Sequence, residues 1–373
     1  MISDLPCVIH DYTFFKLIGK GGFSSVYLVR SNRSDFLYCA KVTQIQNPDS
    51  KDEEWKTIDN EIKALTLLNH PNIVRLYDHF HDNAHFYIIL EYCSGGNLQT
   101  QIPKNRGLAL LLFKRIANQI ISALATCHRN NIAHHDLKLG NVLLDGYKRV
   151  KLADFGISVK TKHPNELSDS YAGSIQYEAP EILNKVPHDP FKADIWALGV
   201  LFAHLITGQS PWRCDTIGKL KRCILTANFS LRSSTPPELV DIIKQMIVIE
   251  PEKRLSMSDL VRNPFFVEEA KISSFPFLCQ FKDCLCPDGR KIVLPSKNEN
   301  TITFASEEEE SPELTMEELT RMDESHPVSY KTSHVLAICQ RNIKGSIGVP
   351  VIRTRYHSFE KSIPTFADNI NIV

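Results

Sequence analysis

Residues 134–141 read HHDLKLGN, and thirteen residues after Asn141 the chain reads DFG at 154–156. Short apolar runs around these stretches predict brief strands joined by loops, and polar side chains on such loops can face a cleft. Taken singly, such an aspartate is most often part of a turn, and a histidine among apolar residues most often lies in a core. Taken together, Asp136, Asn141 and Asp154 form a set in which Asp154 and Asn141 offer one carboxylate and one neutral amide oxygen, the hard donors that suit Mg²⁺.

The segments around these loops predict two structural regions. From Tyr12 to Tyr92, short apolar and aromatic runs broken by turns predict an antiparallel sheet. One helix between Asp52 and Asn69 is expected to pack on that sheet, because its apolar residues recur every three or four positions, at Trp55, Ile58, Ile62, Leu65 and Leu68. From about Leu98 the periodicity is helical, as in LLLFKRIANQIISALATCHR, DIWALGVLFAHLITG and ELVDIIKQMI.

A glycine-rich run, GKGGFSSV at 19–26, lies between two strand-like segments, so its backbone N–H groups can approach phosphate oxygens. A dinucleotide-binding fold needs a helix directly after such a loop, but here VYLVR continues as a strand. A plain hairpin is the alternative while the loop is considered alone. Lys41, within YCAKV, is a lone charge on an apolar strand and needs an anionic partner, which Glu61 can supply. With Asp136 as a group that can lie near an incoming hydroxyl, these residues suit phosphoryl transfer.

Composition excludes several other classes of protein. Lys+Arg and Asp+Glu both number 43 in 373 residues, so net charge gives no reason to expect nucleic acid or an anionic membrane as a partner. The ten cysteines lack paired C-x-x-C motifs and are interpreted as reduced thiols, including the cluster at Cys279, Cys284 and Cys286. No signal sequence or apolar stretch of about 18 residues is apparent. We therefore expect an intracellular protein, in the cytoplasm, the nucleus or both.

We predict an N-terminal extension at 1–11, a domain at 12–266 divided into lobes at 12–92 and 93–266, and a low-order tail at 267–373. The tail contains prolines, an acidic run at Glu307–Glu310 and Ser/Thr-rich pieces, which is typical of segments without a packed core. A short helix near Met316–Met322 is compatible with its sequence. The tail is a candidate site for a regulatory partner.

The glycine loop, Lys, Glu, H-x-D-x-K-x-x-N, D-F-G and A-P-E occur here in the order of the signature of eukaryotic protein kinases, which residues 12–266 resemble. The resemblance implies an α+β, bilobal fold, with a small antiparallel sheet lobe carrying one helix and a larger, mainly helical lobe. It also implies transfer of the γ-phosphoryl group of ATP, with Mg²⁺, to protein substrates. Lys138, within D-L-K-x-x-N, resembles the pattern of serine/threonine kinases rather than that of tyrosine kinases.

The resemblance also implies residue roles. Asp136 would accept the proton of the substrate hydroxyl, Lys138 would lie near the transferred phosphate, and Glu61 would hold Lys41 on the α- and β-phosphates. Magnesium would be held by Asn141 and Asp154. The nucleotide contacts would be Ile18, Gly19, Lys20, Gly21, Gly22, Val26, Lys41, Glu91, Cys93 and Leu143.

Supporting roles are implied for residues outside the reaction itself. Glu181 would pair with Arg254, and Asp194 would brace the catalytic loop. Leu90 would be the gatekeeper, Cys39 would lie over the adenine, and an apolar spine would comprise Leu65, Leu76, His134 and Phe155.

Several positions depart from the family pattern. Ser24 replaces a loop glycine, which predicts weaker nucleotide affinity. His135 replaces the arginine that usually grips an activation-loop phosphate, so we hypothesise basal activity without phosphorylation of Ser170. Asn97 and Gly140 stand where acidic residues often read basic substrates, so no basic preference is assumed.

Within the family, GSIQYEAPE at 173–181 resembles the calcium/calmodulin-dependent and AMP-activated kinase group. A pseudokinase scaffold is the main alternative, although it would not need a proton acceptor together with metal ligands. A small-molecule kinase fits less well, because the A-P-E segment resembles a platform for a peptide.

Overall fold

The computed structural model describes residues 2, 4–22, 24–45, 53–163, 166–267, 291–293 and 303–305. The cysteine cluster at 279–286, the acidic run at 307–310 and the helix predicted near 316–322 lie outside the described residues. In the predicted tail, a strand pair is described, Lys291–Val293 antiparallel to Thr303–Ala305.

The small lobe is a six-stranded antiparallel sheet with one helix, as the sequence predicts. Its strands, in chain order, are β1 Cys7–Ile9, β2 Tyr12–Lys20, β3 Ser24–Ser31, β4 Leu37–Gln44, β5 Leu76–His81 and β6 His85–Glu91. Their order across the sheet is β1-β2-β3-β4-β6-β5. Helix α1, Glu53–Leu67, connects β4 to β5. Strand β1 falls in the predicted extension, and it pairs with β2.

The two faces of the sheet separate because strand side chains alternate with a period of two. Tyr87 and Ile89 of β6 belong to one apolar cluster, together with Tyr12, Phe14, Tyr27, Val29, Ala40 and Val42. Ile88 and Leu90 of β6 point to the opposite face and join the large core, to which α1 contributes Ile58, Ala64 and Leu65. The predicted apolar stripe of α1 therefore packs against the sheet.

The large lobe is mainly helical. Its helices are α2 Leu98–Gln101, α3 Leu110–Arg129, α4 Pro180–Leu183, α5 Pro190–Thr207, α6 Ile217–Leu225, α7 Pro237–Met246, α8 Met257–Arg262 and α9 Pro264–Val267. Helix α5 begins at the capping residue Asp189, whose carboxylate accepts the N–H groups of Phe191 and Lys192, and it ends at Gly208 with φ 71°. It is apolar on nearly all sides and almost entirely buried, so it forms the centre of this lobe.

Helix α3 is the second core element. The predicted face of Leu112, Ile116, Ile120 and Leu124 is buried. Among the described residues, α3 is long and apolar enough to cross a membrane, contrary to the expectation that no such stretch exists. However, 56% of the relevant window is buried inside the protein, and the core helix of a globular domain passes the same test.

Short strands hold the loops that carry the sequence motifs. Ile132–Ala133 (β7) pairs with Val159–Lys160 (β10), and Val142–Leu144 (β8) pairs with Val150–Leu152 (β9). The HHDLKLGN stretch therefore lies between β7 and β8, and DFG lies between β9 and β10. The two predicted motif loops emerge side by side from paired strands.

Candidate active site

One end of the site is an ion-pair cluster around Lys41. Strand β4 places Lys41 Nζ 2.7 Å from Glu61 Oε2 on α1 and 2.8 Å from Asp154 Oδ1 of the DFG stretch. The pairing of Lys41 with Glu61 is confirmed, while its second pairing, with Asp154, is an addition to the prediction. The cluster depends on three elements that are distant in sequence, so it forms only when α1 packs on the sheet.

Lys41 and Asp154 stabilise each other's charged forms. Burial alone would lower the pKa of Lys41, but the carboxylates of Glu61 and Asp154 outweigh it and raise that pKa. Burial would likewise raise the pKa of Asp154, yet the charge and hydrogen bond of Lys41 bring it below its ordinary value. Lys41 is therefore a cation and Asp154 an anion at neutral pH.

The glycine loop joins β2 to β3 as a hairpin. Gly19 and Lys20 pair with Val26 and Ser25, and Gly21 N–H donates to the Ser24 carbonyl at 2.8 Å. A side chain at Gly22 would meet no atom within 4 Å, and Lys20, Gly21 and Gly22 are exposed, as is Ile18 at 43%. The loop is thus open for a ligand to approach its backbone.

Ser24 does not impose the predicted backbone conflict. It is the first residue of β3, and no left-handed φ is required there. The reason for expecting weaker nucleotide affinity at this position is therefore absent, because an extended serine is unstrained.

The predicted adenine contacts lie where β6 leaves the sheet. The sulfur atoms of Cys39 and Cys93 approach the Glu91 carbonyl at 3.8 and 3.9 Å. Leu143 is on β8 and forms a backbone bridge with Asn97.

Sequence reasoning missed an ion pair at this hinge. Lys151 Nζ on β9 lies 2.6 Å from Glu91 Oε1, and the lysine side chain is only 9% exposed. Like Lys41, Lys151 is a lone charge within an apolar strand, VKL, and that was the signal for it. The pair ties the hinge to the strand that precedes Asp154.

The other end of the site is organised around Asp136. Its Oδ2 atom forms an ion pair with Lys138 and accepts a hydrogen bond from Asn141 Nδ2 at 2.9 Å. Its Oδ1 atom accepts a hydrogen bond from Ser174 Oγ at 3.0 Å, and Lys138 Nζ also donates to Ser174 Oγ at 3.0 Å. Ser174 was missed because nothing in the local sequence brings it next to a residue 38 positions earlier.

A buried carboxylate fixes the loop that presents Asp136. Asp194 of α5 accepts the backbone N–H groups of His134 and His135 at 2.8 and 2.9 Å and contacts His128 Nε2 at 2.8 Å. Burial would raise the pKa of Asp194, but the bond to His128 outweighs it, so that pKa is lowered. The predicted bracing role agrees with this geometry, and His128 is an added partner.

Two further predicted supports are present. Arg254 donates to both carboxylate oxygens of Glu181 at 2.6 and 2.7 Å, which confirms the predicted pair. The rings of His134 and Phe155 lie 4.8 Å apart between centroids, as expected for neighbours in the spine.

His135 contacts another histidine, His188. Its Nε2 atom lies 3.3 Å from Nε2 of His188, and the backbone of His188 pairs with that of Ser168 in the activation segment. His135 has φ 66° and is buried. Burial and the neighbouring histidines lower its pKa, although Asp194 opposes them. The ring is therefore neutral at pH 7 and links the catalytic loop to the activation segment.

The two ends of the site meet through the backbone. The N–H of Ala153 donates to the Asn141 carbonyl at 2.9 Å, so Asn141 lies beside the residue that precedes Asp154. Asp154 itself has φ 69°, a left-handed conformation that turns its carboxylate toward Lys41. A lysine cation, two carboxylates and an amide side chain thus converge, and these are the types of group that phosphoryl transfer requires.

Comparisons with known proteins agree with this chemistry. The family model for the protein kinase domain matches residues 12–266. An Aurora kinase from Dictyostelium discoideum is 31% identical over 265 residues, covering 70% of this chain and 67% of that protein. Aurora kinase C from Mus musculus is 30% identical over 263 residues, covering 94% of that protein. Serine/threonine-protein kinase PLK2 from Mus musculus is 31% identical over 263 residues, covering 38% of its length.

These relatives correct one prediction. The narrower resemblance to the calcium/calmodulin-dependent and AMP-activated group is not supported, because the relatives just described are Aurora and PLK2 kinases. The motif GSIQYEAPE on which that grouping rested is a short segment, whereas the matches span the whole domain. The chain belongs to the protein kinase family, and it is a serine/threonine kinase that phosphorylates proteins with ATP.

Proposed function

We propose that this kinase performs the transfer at the cleft between Lys41 and Asp136, with each predicted site residue in the role its contacts favour. The observation that carries the proposal is the interlocked set at Asp136, in which Lys138, Asn141 and Ser174 all bond to one carboxylate. A carboxylate held at both oxygens presents its remaining lone pairs in a fixed direction. An acceptor hydroxyl that donates to Asp136 would be aligned for attack.

The nucleotide would lie on the opposite side of this cleft. Lys41 is the cation available to the phosphates, and Glu61 fixes its position. The exposed backbone of Gly21 and Gly22 would cover the phosphates, and Glu91 would present its backbone to the adenine. Apolar contacts to the base would come from Ile18, Val26, Cys93 and Leu143.

The residues present fit a magnesium ion. Asp154 uses Oδ1 for Lys41, and no hydrogen bond to its Oδ2 occurs within the described part of the chain. The Nδ2 of Asn141 donates to Asp136, so the amide oxygen of Asn141 remains as a possible metal ligand. A carboxylate and an amide oxygen are the hard ligands that Mg²⁺ takes, and the bound ion would neutralise charge on the phosphates.

During the reaction, Asp136 would accept the proton of a serine or threonine hydroxyl as the hydroxyl oxygen bonds to the γ-phosphorus. The bond from the γ-phosphorus to the oxygen bridging to the β-phosphate would break, and ADP would be the leaving group. Lys138 would stabilise the charge on the transferred group, and Lys41 would stabilise the α- and β-phosphates, since carboxylates on either side of the cleft already hold both cations. Ser174, which bonds to both Asp136 and Lys138, would fix the positions of these two side chains relative to each other.

We also propose that the activation segment adopts its working form without phosphate on Ser170. A neutral His135 cannot grip a phosphate as a guanidinium does, and its bond to His188 already connects it to the segment at Ser168. Purified Ser170→Ala protein should then keep most of the activity of the unphosphorylated wild type. A near-total loss in that variant would contradict this.

The test of the reaction is transfer of γ-labelled phosphate from ATP to a generic protein by the wild type and by Asp136→Asn. The variant keeps the shape of the side chain but removes the proton acceptor, so we expect loss of about 10²- to 10⁴-fold in rate. Matched melting temperatures would show that the fold is intact. Equal labelling by both proteins would instead favour the pseudokinase alternative.

An intracellular location, in the cytoplasm or the nucleus, and a regulatory partner for the tail complete the proposal. They rest on composition and on the activity of the relatives.

A further inference from the structure

Glu178, just before the Ala179 that caps α4, lies in the same concavity as the catalytic aspartate. Asp136, Ser174, Tyr177 and Glu178 line this concavity together. The Glu178 side chain folds back toward Gly173, the residue before Ser174. A Cβ placed on Gly173 would lie 3.5 Å from Glu178 Oε1. A half-buried carboxylate therefore lines the same concavity as Asp136 and Ser174.

This carboxylate is not neutralised within the protein. Among the described residues, no hydrogen bond and no ion pair within 4.0 Å is formed by Glu178. Lys138, the cation of the acceptor end, is already paired with Asp136 and Ser174. Lys221 of α6 acts on Glu178 only at longer range.

The local charge makes this arrangement unfavourable for the kinase alone. Burial raises the pKa of Glu178, the negative charge of Asp136 raises it further, and Lys221 offsets only part of this. A partly buried anion beside another anion is stabilised when a cation binds between or next to them. The protein supplies no such cation at this position within its described part.

Two positions where acidic residues would read basic substrates carry no acidic side chain in this protein. Gly140 has no side chain charge, and the Asn97 side chain accepts the N–H of Thr100 to cap α2. Neither of these two positions can pair with a basic side chain, whereas Glu178 carries a carboxylate beside Asp136.

We propose that Glu178 binds an arginine or lysine of the substrate within two residues of the acceptor serine or threonine. This rests on the proposed function, because it assumes that the acceptor hydroxyl reaches Asp136. Residues of an extended peptide are about 3.3 Å apart, so a long basic side chain next to the acceptor can reach a carboxylate in the same concavity. The substrate class is thus a basic segment, contrary to what Asn97 and Gly140 suggest.

The experiment uses peptides with one serine in an alanine background and a single arginine moved from three positions before to three positions after it. Wild type, Glu178→Gln, Glu178→Lys and the control Glu252→Gln are compared. Glu252 is an exposed glutamate outside the concavity, so its variant matches the change of charge. Both kcat and KM are measured for every peptide.

For the wild type we expect an arginine within two positions of the serine to raise kcat/KM by about tenfold, mainly through KM. Glu178→Gln should reduce this gain to about twofold or less while leaving the all-alanine peptide unchanged, and Glu178→Lys should favour glutamate at the same position. Glu252→Gln should behave as the wild type. A structural role alone would lower the rates of all peptides together.

Arginine preferences that are the same in the wild type and Glu178→Gln, or no preference in the wild type, would overturn the inference while transfer itself persists. If the wild type labels none of the peptides or proteins, the proposed function fails as well. Should both variants fold poorly, salt provides a second readout with the wild type. The arginine preference should then weaken as ionic strength rises, and a preference indifferent to salt would contradict an ionic origin.

Discussion

Around Lys41, the site is assembled from three elements that are far apart in the chain, whereas around Asp136 it is mostly contributed by one short loop. Lys41, Glu61 and Asp154 come from β4, α1 and the DFG loop. Asp136, Lys138 and Asn141 come from six consecutive residues, and Ser174 joins them from the activation segment. The nucleotide end thus depends on how the small lobe packs, and the acceptor end depends on how one loop is braced by Asp194.

The difference teaches where this kinase can be regulated and where it can be specialised. A shift of α1 would remove Glu61 from Lys41 and so disable the nucleotide end. At the acceptor end, the surroundings of Asp136 are set by His135, Ser174 and Glu178. These residues can vary while the reacting carboxylate stays the same. The four predictions below test each end separately.

The largest effect is expected for Lys41→Met, which removes the cation from the nucleotide end. We expect kcat/KM for ATP to fall by about 10²- to 10³-fold, because the charge on the phosphates loses a preorganised partner. Steady-state kinetics with varied ATP measure this. The control is Lys16→Met, which changes an exposed lysine on β2 and should leave the kinetics unaltered. Equal losses in the two variants would mean that charge position does not matter.

At the acceptor end, Ser174→Ala should lower kcat by at least about tenfold, since one hydrogen bond to a charged group is worth about 1.5–3 kcal/mol and each ~1.4 kcal/mol corresponds to a factor of ten in rate. The KM for ATP should stay close to that of the wild type, because Ser174 does not contact the Lys41 cluster. Ser174→Thr keeps the hydroxyl and should restore most of kcat. If Ser174→Ala instead raised only the KM for ATP, the separation of the two ends would be wrong.

A smaller effect is expected at the hinge. Lys151→Met removes the buried partner of Glu91 and should raise the KM for ATP by about two- to fivefold, because the hinge loses its tie to β9. Glu91→Gln should produce a change in the same direction. A double variant no worse than either single variant would show that the two residues act as one pair. Additive losses would contradict the pair.

The smallest effect concerns acid pH and stability. The pKa of His135 is lowered in the folded protein, so the folded state binds fewer protons than the unfolded state, whose histidines titrate near 6.5. The resulting stability is present above about pH 6.5 and is lost as the pH falls through the folded pKa. Its ring faces His188, His134 and Asp194, and of these only Asp194 favours protonation.

Thermal unfolding of the wild type and His135→Gln between pH 8 and pH 5 measures this. The wild type should lose stability with acid more steeply than the variant. His70 and His204, whose pKa values are also lowered by burial, remain in both proteins and provide the common background slope. Identical slopes would show that His135 does not carry the effect.

Sequence reasoning predicted much of the fold because its patterns are local. The period-two strands, the stripe of α1 and the apolar faces of α3 and α5 all follow from short-range spacing. The ion pair of Lys41 and Glu61 could also be predicted from the sequence, because a charge on an apolar strand requires a partner.

The residues that sequence reasoning missed are those whose partners lie far away in the chain. Ser174 meets Asp136 across 38 residues, His188 meets His135 across 53, and Lys151 meets Glu91 across 60. No local sequence pattern predicts such contacts, because they depend on the positions of the activation segment and the hinge in the folded protein. Conversely, the backbone conflict predicted at Ser24 is absent, because Ser24 lies in a regular strand.

The central claim is that Asp136 carries out the transfer while a separate cluster holds the nucleotide. It is tested most directly by measuring ATP affinity and single-turnover phosphate transfer in the same preparation of Asp136→Asn. We predict ATP affinity within about twofold of the wild type and a transfer rate lower by at least about 10²-fold. Transfer at the rate of the wild type, or loss of ATP binding equal to the loss of transfer, would contradict the account.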